Sequence, residues 1–331
     1  MNTILARTLL IITIIIFTIA CGGPQGEPGV AGTDGIDGVD GNITCLACHN
    51  TETKTINEMA YSRSKHAEAT TLDYAGGRSS CARCHSGTGF VEFQTTGEVI
   101  ANLSNPEAIS CKHCHGLHTT FEEGDIALRM QDTLVLLIDD LSEISLGSSN
   151  LCATCHQPRR NYSYYDDGTG DSVYVSSTHA GPHHGPQSTV LLGMGGDERI
   201  GSIDITALGA ATHGINVKCT GCHMHKGTDE TVGGHTWWPN VEKCQECHSD
   251  AADFDVNGYI TATDVKIETL FNKLLAIGIV DSSGNPVKDT FTRTEFSAFW
   301  NYMTVVEDRS HGVHNPAYVK ALLDNALEVL P

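Results

Sequence analysis

Apolar residues are spaced differently in different parts of the chain, and the spacing predicts where regular structure forms. Residues 9–19 are apolar except for Thr13 and Thr18, whereas residues 43–250 hold no long apolar periodicity. Two stretches with a helical pattern, 296–306 and 317–330, lie near the C-terminus. Before them, helical spacing appears at Val265, Ile267, Leu270, Phe271, Leu274 and Leu275. We predict short helices and loops up to about residue 250, then a helical segment whose apolar stripes form a core.

The first twenty residues have the features of an export signal. Arg7 precedes the apolar stretch 9–19, which is shorter than the ~20 apolar residues that a membrane-spanning helix needs. Ala20 followed by Cys21 resembles the lipobox of bacterial lipoproteins, with Thr18 where Leu is usual. We predict a signal peptide over 1–20 and lipidation of Cys21, which would anchor an exported protein to outer-membrane lipid. The alternative is ordinary cleavage that leaves a free thiol.

Glycine recurs at every third position directly after Cys21. Such a repeat can form a collagen triple helix, because only glycine fits at its axis. Six triplets with two prolines favour the simpler interpretation, an extended lipid-anchored tether over residues 21–42. Trimerisation through this segment is the alternative. The repeat consists of Gly23, Gly26, Gly29, Gly32, Gly35, Gly38 and Gly41.

Composition narrows the function classes. The chain of 331 residues has 40 acidic against 20 basic residues, a formal net charge of −20. Nucleic acid is therefore excluded as a partner, because its phosphates are bound by clustered cations. Aromatic residues make up only 6%, whereas there are 13 cysteines and 17 histidines. We expect bound groups to supply much of the interior that large apolar side chains usually fill.

The motif C-x-x-C-H occurs six times, which identifies a repeated covalent cofactor site. Two thiols three residues apart can form thioethers to both vinyl groups of one haem, and the following histidine reaches the iron. Disulfides, zinc knuckles and a thioredoxin-like pair are alternatives, but none of them requires a histidine at this fixed place. We predict six haem c groups. The motifs are Cys45/Cys48/His49, Cys81/Cys84/His85, Cys111/Cys114/His115, Cys152/Cys155/His156, Cys219/Cys222/His223 and Cys244/Cys247/His248.

Eleven histidines remain for the second axial position of six irons. His113 and His225 lie in or next to a motif, on the proximal side of their own haem, and the other nine fall into six clusters. Six clusters for six irons predict two histidine ligands at every site. In the cluster 179–184 we favour His183 or His184 over His179, because prolines flank that pair. The distal candidates are His66, His118, His183, His184, His213, His235 and His314.

Residues 253–264 follow part of the pattern of a calcium-binding loop. Oxygen-bearing side chains alternate there, and Gly258 stands at the sharp turn. The last ligand position is Asp where EF-hands have a bidentate Glu. The sequence predicts one Ca²⁺ site, with an acidic Asn-Gly turn as the alternative. Its candidate ligands are Asp253, Asp255, Asn257, Tyr259 and Asp264.

Several segments resemble known multihaem proteins. Three segments resemble the pentahaem cytochrome c nitrite reductases. They are residues 300–316, where His314 precedes Asn315-Pro316, and residues 219–224 and 233–236. The resemblance implies a haem-ligating role for His314 and calcium near the haems. It departs at the catalytic haem, because those enzymes use one C-x-x-C-K motif and all six motifs here end in His. The overall plan also resembles lipid-anchored multihaem cytochromes of the bacterial outer surface.

We therefore predict a mainly α protein with little regular structure. Residues 43–250 form the six-haem region of short helices and loops, and residues 251–331 form a helical segment that packs on it. The predicted function is electron transfer between the outer membrane and an extracellular acceptor or another multihaem cytochrome, rather than an enzyme activity. Two alternatives are reduction or oxidation of a small nitrogen or sulfur compound at one five-coordinate haem, and a homo-oligomeric cytochrome filament.

Overall fold

The computed structural model describes residues 49–120, 126–129, 132–139 and 141–331. Within the chain, residues 43–331 form one compact unit. Four features lie outside the described residues: the predicted signal peptide, the predicted lipidation site Cys21, the Gly-X-Y tether and the first two motif cysteines, Cys45 and Cys48.

Short helices dominate the described chain up to residue 250, as predicted, and none of them exceeds twelve residues. Most motif cysteines lie on them, so the first and second cysteine share one helical face. The helices are α1 (Thr51–Ser62), α2 (Lys65–Glu68), α3 (Ser79–His85), α4 (Gly87–Thr96), α5 (Cys111–Cys114), α6 (Asn150–Ala153), α7 (Gln187–Leu192), α8 (Lys218–His223) and α9 (Val241–Gln245).

Single turns of other helix types connect these elements. Two are π-turns, Leu72–Gly76 and His213–Val217. The 3₁₀ turns are Gly147–Ser149, Tyr162–Tyr164, Ile205–Ala207, Gly234–Thr236 and Val256–Gly258.

Sheet structure in the described residues is limited to two small antiparallel pairs. Strand β1 (Leu134–Val135) pairs with β2 (Glu143–Ile144). Strand β3 (Ser172–Tyr174) pairs with β4 (Thr290–Thr292), with Val173 opposite Phe291. The second pair links the long loop after the fourth motif to the C-terminal helices.

Three longer helices form the C-terminal segment, which confirms the predicted periodicity. They are α10 (Tyr259–Ala276), α11 (Arg293–Asp308) and α12 (Pro316–Val329). Helix α11 begins with a capping box between Thr292 and Glu295. The predicted stripe on α10 is partly wrong. Leu270 and Leu274 are fully buried, but Val265 is 60% exposed and Leu275 is 37% exposed.

The C-terminal helices enclose a conventional apolar core. Phe296, Phe299 and Trp300 on α11 are fully buried, and α12 covers them with Leu322 and Leu323. Side chains of the 173–205 region complete this cluster. The prediction that bound groups supply the interior therefore does not extend to this segment, because aromatic residues are concentrated in it.

A buried polar network ties the loops to α11. The Asp166 carboxylate accepts from Arg199 at 2.6 Å and from Arg293 at 2.9 Å. Asp197 pairs with Arg199 at 2.5 Å, and its backbone exchanges two hydrogen bonds with the Asn301 side chain. Buried carboxylates require such partners, because an unpaired buried charge is strongly destabilising.

The observed architecture confirms the predicted fold class, mainly α with short helices, loops and little sheet. Within the described ranges, no helix combines the length and the apolar character needed to cross a membrane.

Candidate functional site

One large cavity occupies the space between the short helices. Its volume is about 3090 Å³, several times that of a small-molecule pocket, which is at most ~1,000 Å³. All ten described motif cysteines line it, together with every histidine except His113 and His225. Those two were the histidines excluded as distal candidates because of their place at a motif. The C-terminal segment contributes to the wall, notably through His314.

Each motif histidine faces one histidine from another part of the chain. The ring centroids of each pair lie 6.0 to 6.5 Å apart. Every pair combines one proximal with one distal candidate, and no residue is used twice. The pairs are His49–His118, His66–His156, His85–His183, His115–His235, His213–His248 and His223–His314.

This spacing fits a metal held between two imidazoles. A bond from metal to imidazole nitrogen is about 2 Å long, so an ion between two rings separates their centroids by about 6 Å. Direct ring stacking also reaches such distances, but it does not explain why each motif histidine has a partner. Haem c iron with two axial histidines requires this arrangement, with a cysteine pair beside each iron. The described residues therefore fit bis-histidine haem c groups at the five sites whose motif cysteines are described.

Hydrogen bonds orient many of these rings by holding Nδ1. Among the proximal histidines, Nδ1 of His115 contacts the Ile126 carbonyl at 2.5 Å, and Nδ1 of His223 contacts the Trp237 carbonyl at 2.7 Å. Among the distal ones, Nδ1 of His213 contacts the Val313 carbonyl at 2.8 Å. A ring whose Nδ1–H donates to a carbonyl leaves Nε2 free to bind a metal.

Burial favours the neutral form of six of the twelve paired rings, and metal ligation requires that form. It lowers the pKa of His66 and of His183 to about 4. His314 differs: burial lowers its pKa, but the charge of Asp308 and its hydrogen bond raise the value above the ordinary one. Burial likewise lowers the pKa of His85, His156, His223 and His235.

The structure distinguishes between His183 and His184, the two favoured candidates of one cluster. His183 faces His85 across 6.3 Å. His184 turns towards α11, where its Nδ1 lies 3.2 Å from a Glu307 carboxylate oxygen and its backbone N–H donates to the other. Both residues have left-handed backbone, with φ of 73° and 55°. This backbone directs the two side chains to different partners.

Three other histidines have roles outside the pairs. His113 is buried and bonds Ser110 and Glu107. His225 lies 3.7 Å from Glu246, and Nδ1 of His311 contacts Asp264 at 2.6 Å. His314, the other histidine of the C-terminal cluster, is held directly before Asn315, which caps α12.

The ten described motif cysteines form neither disulfides nor zinc-type clusters. No disulfide joins any of the ten described motif cysteines. In the described ranges, no cluster of three or more His, Cys, Asp or Glu side chains could enclose a metal ion.

The three acidic candidate calcium ligands, Asp253, Asp255 and Asp264, do not form a cluster that could hold a metal ion. Helix α10 begins at Tyr259, and Asp255 accepts from the backbone N–H of Ile260 at 2.6 Å, so its carboxylate serves the start of the helix. Asp264 lies one turn into α10 and pairs with His311. The Tyr259 hydroxyl donates to the Pro316 carbonyl at 2.6 Å. Asp253 and Asn257 are the two remaining candidate ligands. The Ca²⁺ site stays a prediction from the sequence.

A buried cation points to an anionic ligand in the same cavity. Nε and one terminal nitrogen of Arg83 are buried without a hydrogen-bond partner among the described residues. Burial lowers the pKa of this guanidinium, which lies 3.7 Å over the Phe93 ring. A buried cation needs a counter-charge. Haem carries two propionate carboxylates, which are the kind of partner that Arg83 lacks.

The second and fifth motifs both touch the fourth, so the sites of these three motifs are neighbours. Cys84 of the second motif contacts Cys155 of the fourth, and Cys152 of the fourth contacts Cys219 of the fifth. His118 and His115, which belong to different pairs, are three residues apart. The fourth motif therefore lies between the second and the fifth.

Sequence reasoning missed Trp237, which contacts two of the paired histidines. Its ring lies 4.7 Å from the His66 ring and 5.7 Å from the His235 ring. Tryptophan beside a motif is common core packing, and no spacing in the sequence identified this residue.

Comparisons with known proteins give similarities to multihaem cytochromes. The family model described as cytochrome c7 and related cytochrome c matches residues 60–169. No curated protein matches the chain significantly. The solved structure of the outer cell wall cytochrome OcwA is similar with a TM-score of 0.53 and 18% identity, over 82% of this chain and 50% of that one.

A second solved structure, the undecahaem cytochrome from the S-layer of Carboxydothermus ferrireducens, is 22% identical with a TM-score of 0.38, over 89% of this chain and 39% of that one. This chain thus spans about half the length of OcwA, and the likeness to it is one of fold. The described chain has the loop-rich, short-helix fold of a multihaem c-type cytochrome, and the matched family implies covalently bound haem c.

Proposed function

We propose that this protein transfers electrons through six haem c groups, each held by two histidines. The observation that carries the proposal is the pairing of all six motif histidines with six histidines from elsewhere in the chain, at 6.0 to 6.5 Å. An enzyme acting at haem iron needs an open coordination position. Each described motif histidine instead faces a second imidazole, which favours electron transfer over substrate chemistry.

Haem c supplies a one-electron iron couple at each site. The protein's own residues have three roles in the proposal. Motif cysteines attach the groups, including Cys45 and Cys48 of the first motif. Paired histidines ligate the metal from both faces, and hydrogen bonds to Nδ1 tune their basicity. Contacts between motifs, such as Cys84 with Cys155, keep neighbouring sites close enough for electrons to pass between them.

The same proposal includes export and the kind of partner. The segment 1–20 and Cys21 support secretion and a lipid anchor at the outer membrane. The extracellular side of the proposal rests on this signal and on similarity of fold to an outer cell wall cytochrome. With a net charge of −20, we expect partner cytochromes to dock through a basic face, with binding that weakens as salt rises.

The first experiment combines intact-mass analysis with low-temperature EPR of the oxidised, fully matured protein. Six haems and only low-spin signals are expected. The variant His66→Ala, which removes one of the paired histidines, should lose one low-spin EPR signal and gain one high-spin EPR signal. The matched control is His179→Ala, which changes a histidine that lines the same cavity but belongs to none of the six pairs.

One result would overturn the electron-transfer proposal. A high-spin signal near one haem equivalent in the unmodified protein, shifted by nitrite or hydroxylamine, would mean an open iron. The alternative function, reduction or oxidation of a small nitrogen compound, would then lead.

A further inference from the structure

Trp237 lies between the distal histidines of two different pairs. Its indole meets the His66 ring edge-on at 4.7 Å and the His235 ring edge-on at 5.7 Å. His66 pairs with His156, and His235 pairs with His115. One side chain therefore touches ligands of two sites that the sequence keeps far apart.

The main chain fixes this indole in place. The Trp237 carbonyl accepts from Nδ1 of His223 at 2.7 Å, and His223 belongs to a third pair. Trp237 itself has left-handed backbone, with φ 54°, a conformation that is disfavoured for a bulky residue. The turn before it needs glycine, since a Cβ on Gly233 would meet the His225 carbonyl oxygen at 1.8 Å. The surrounding structure therefore holds Trp237 in a backbone conformation that tryptophan does not favour.

A further aromatic contact limits the remaining freedom of the indole. Tyr61 on α1 lies edge-on to it at 6.2 Å, and the hydroxyl of Tyr61 donates to the Ile109 carbonyl. Helix α1 packs on the turn Gly234–Thr236, which carries His235. Rotation of the His66 or His235 ring would therefore require the indole to move, and Tyr61 opposes that movement.

We infer that Trp237 is a positioning residue shared by two haem sites, setting the planes of the His66 and His235 imidazoles together. The inference rests on the proposed function, because it assumes that both rings bind iron. Axial imidazole orientation affects the electronic state of haem iron, and neighbouring groups tune its potential. Removing the indole should therefore change two sites of six and leave the other four as they were.

The test compares Trp237→Leu and Trp237→Phe with Trp238→Leu in the fully matured protein. Trp238 is the matched control: it is adjacent and 44% exposed, and its Nε1 donates to the Arg63 carbonyl at 3.3 Å. The readouts are haem count by mass, low-temperature EPR and a spectroelectrochemical redox titration. Signals are assigned with His66→Ala and His235→Ala, each of which removes one low-spin signal.

We expect Trp237→Leu to shift the low-spin signals and potentials of those two sites only. Phenylalanine is too small to contact both rings equally, so Trp237→Phe should shift the same two signals less. Trp238→Leu should match the unmodified protein. If Trp237→Leu does not mature with six haems, the EPR spectrum and redox titration of Trp237→Phe test the inference instead.

Two results would overturn the inference. One is a Trp237 variant with six haems and an unaltered spectrum. The other is a change spread over all six signals, which would indicate general loosening. Failure of the proposed function looks different, because the unmodified protein itself would then have fewer than six low-spin haems.

Discussion

The carboxylate of Asp308 accepts a hydrogen bond from Nδ1 of His314 at 2.7 Å, and the aspartate side chain is fully buried at the end of α11. The Ser310 hydroxyl also donates to Asp308. A carboxylate at this position makes a metal-bound imidazole more electron-donating and fixes its orientation. If His314 binds haem iron as proposed, Asp308 stabilises the oxidised form of that iron.

Replacing Asp308 by Asn should raise the reduction potential of one site. The substitution keeps the shape and removes the negative charge, so the oxidised iron loses stabilisation. We expect a rise on the order of 60 mV, which corresponds to a tenfold change in a one-electron equilibrium. A redox titration followed by absorbance would measure it. The control is Asp264→Asn, because Asp264 bonds Nδ1 of the unpaired His311 at 2.6 Å. Equal shifts in both variants would contradict the role of Asp308.

His183 and His184 offer a test of ligand choice between adjacent residues. Both have left-handed backbone, so asparagine, which tolerates that conformation, is the suitable replacement. His183→Asn should convert one low-spin haem to high-spin, because His183 faces His85. His184→Asn should leave every haem low-spin, since His184 pairs with Glu307. The EPR spectra of the two variants decide, and the opposite pattern would assign the ligand to His184.

This pair also illustrates how far sequence reasoning could reach. The six C-x-x-C-H motifs could be identified because covalent haem attachment demands a fixed local spacing. The six histidine clusters followed from counting the histidines that remained. Which cluster faces which motif depends on long-range folding, as in His49 with His118 or His223 with His314. The choice of His183 required the backbone φ and the position of Glu307, neither of which has a local signal.

The same limit applies to the fold. The predicted helices α10 to α12 formed because their apolar spacing is local, and Asn315-Pro316 specified the start of α12. The partial error on α10 arose because periodicity identifies a face but not its width, so Val265 was assigned to the core and is exposed. The contacts of Trp237 join segments about 170 residues apart, beyond any pattern in the chain.

Arg83 provides a prediction about the charge inside the cavity. If its unpartnered guanidinium neutralises a haem propionate, Arg83→Gln should lower the potential of a site near Cys84 and Cys155, because a buried cation favours the reduced iron. Arg78→Gln is the control, since that arginine bonds the Tyr74 carbonyl and lies over the Tyr74 ring. The measurement is again a redox titration. Potentials unchanged in Arg83→Gln would mean that another group supplies the counter-charge.

Asp166 allows a prediction about stability and pH. Burial raises the pKa of this carboxyl, but hydrogen bonds from Arg293, Gly168 and Arg199 lower it below the ordinary value. A group with a depressed folded pKa stabilises the fold above its unfolded pKa of about 3.9, and this contribution disappears as pH falls through the folded value. Asp166→Asn should thus destabilise the protein by about 3 kcal/mol at pH 7, the cost of breaking a buried ion pair.

Denaturant unfolding of the matured protein between pH 7 and pH 3 tests this. The difference between the unmodified protein and Asp166→Asn should be largest at neutral pH and shrink in acid, because protonation removes the same charge that the substitution removes. Asp167→Asn serves as the control. The Asp167 carboxylate accepts hydrogen bonds only from Thr169 in the described contacts, so this substitution should change stability much less. A difference that stays constant with pH would mean that Asp166 acts through its shape and hydrogen bonds, and that its charge is not what holds the loops to α11.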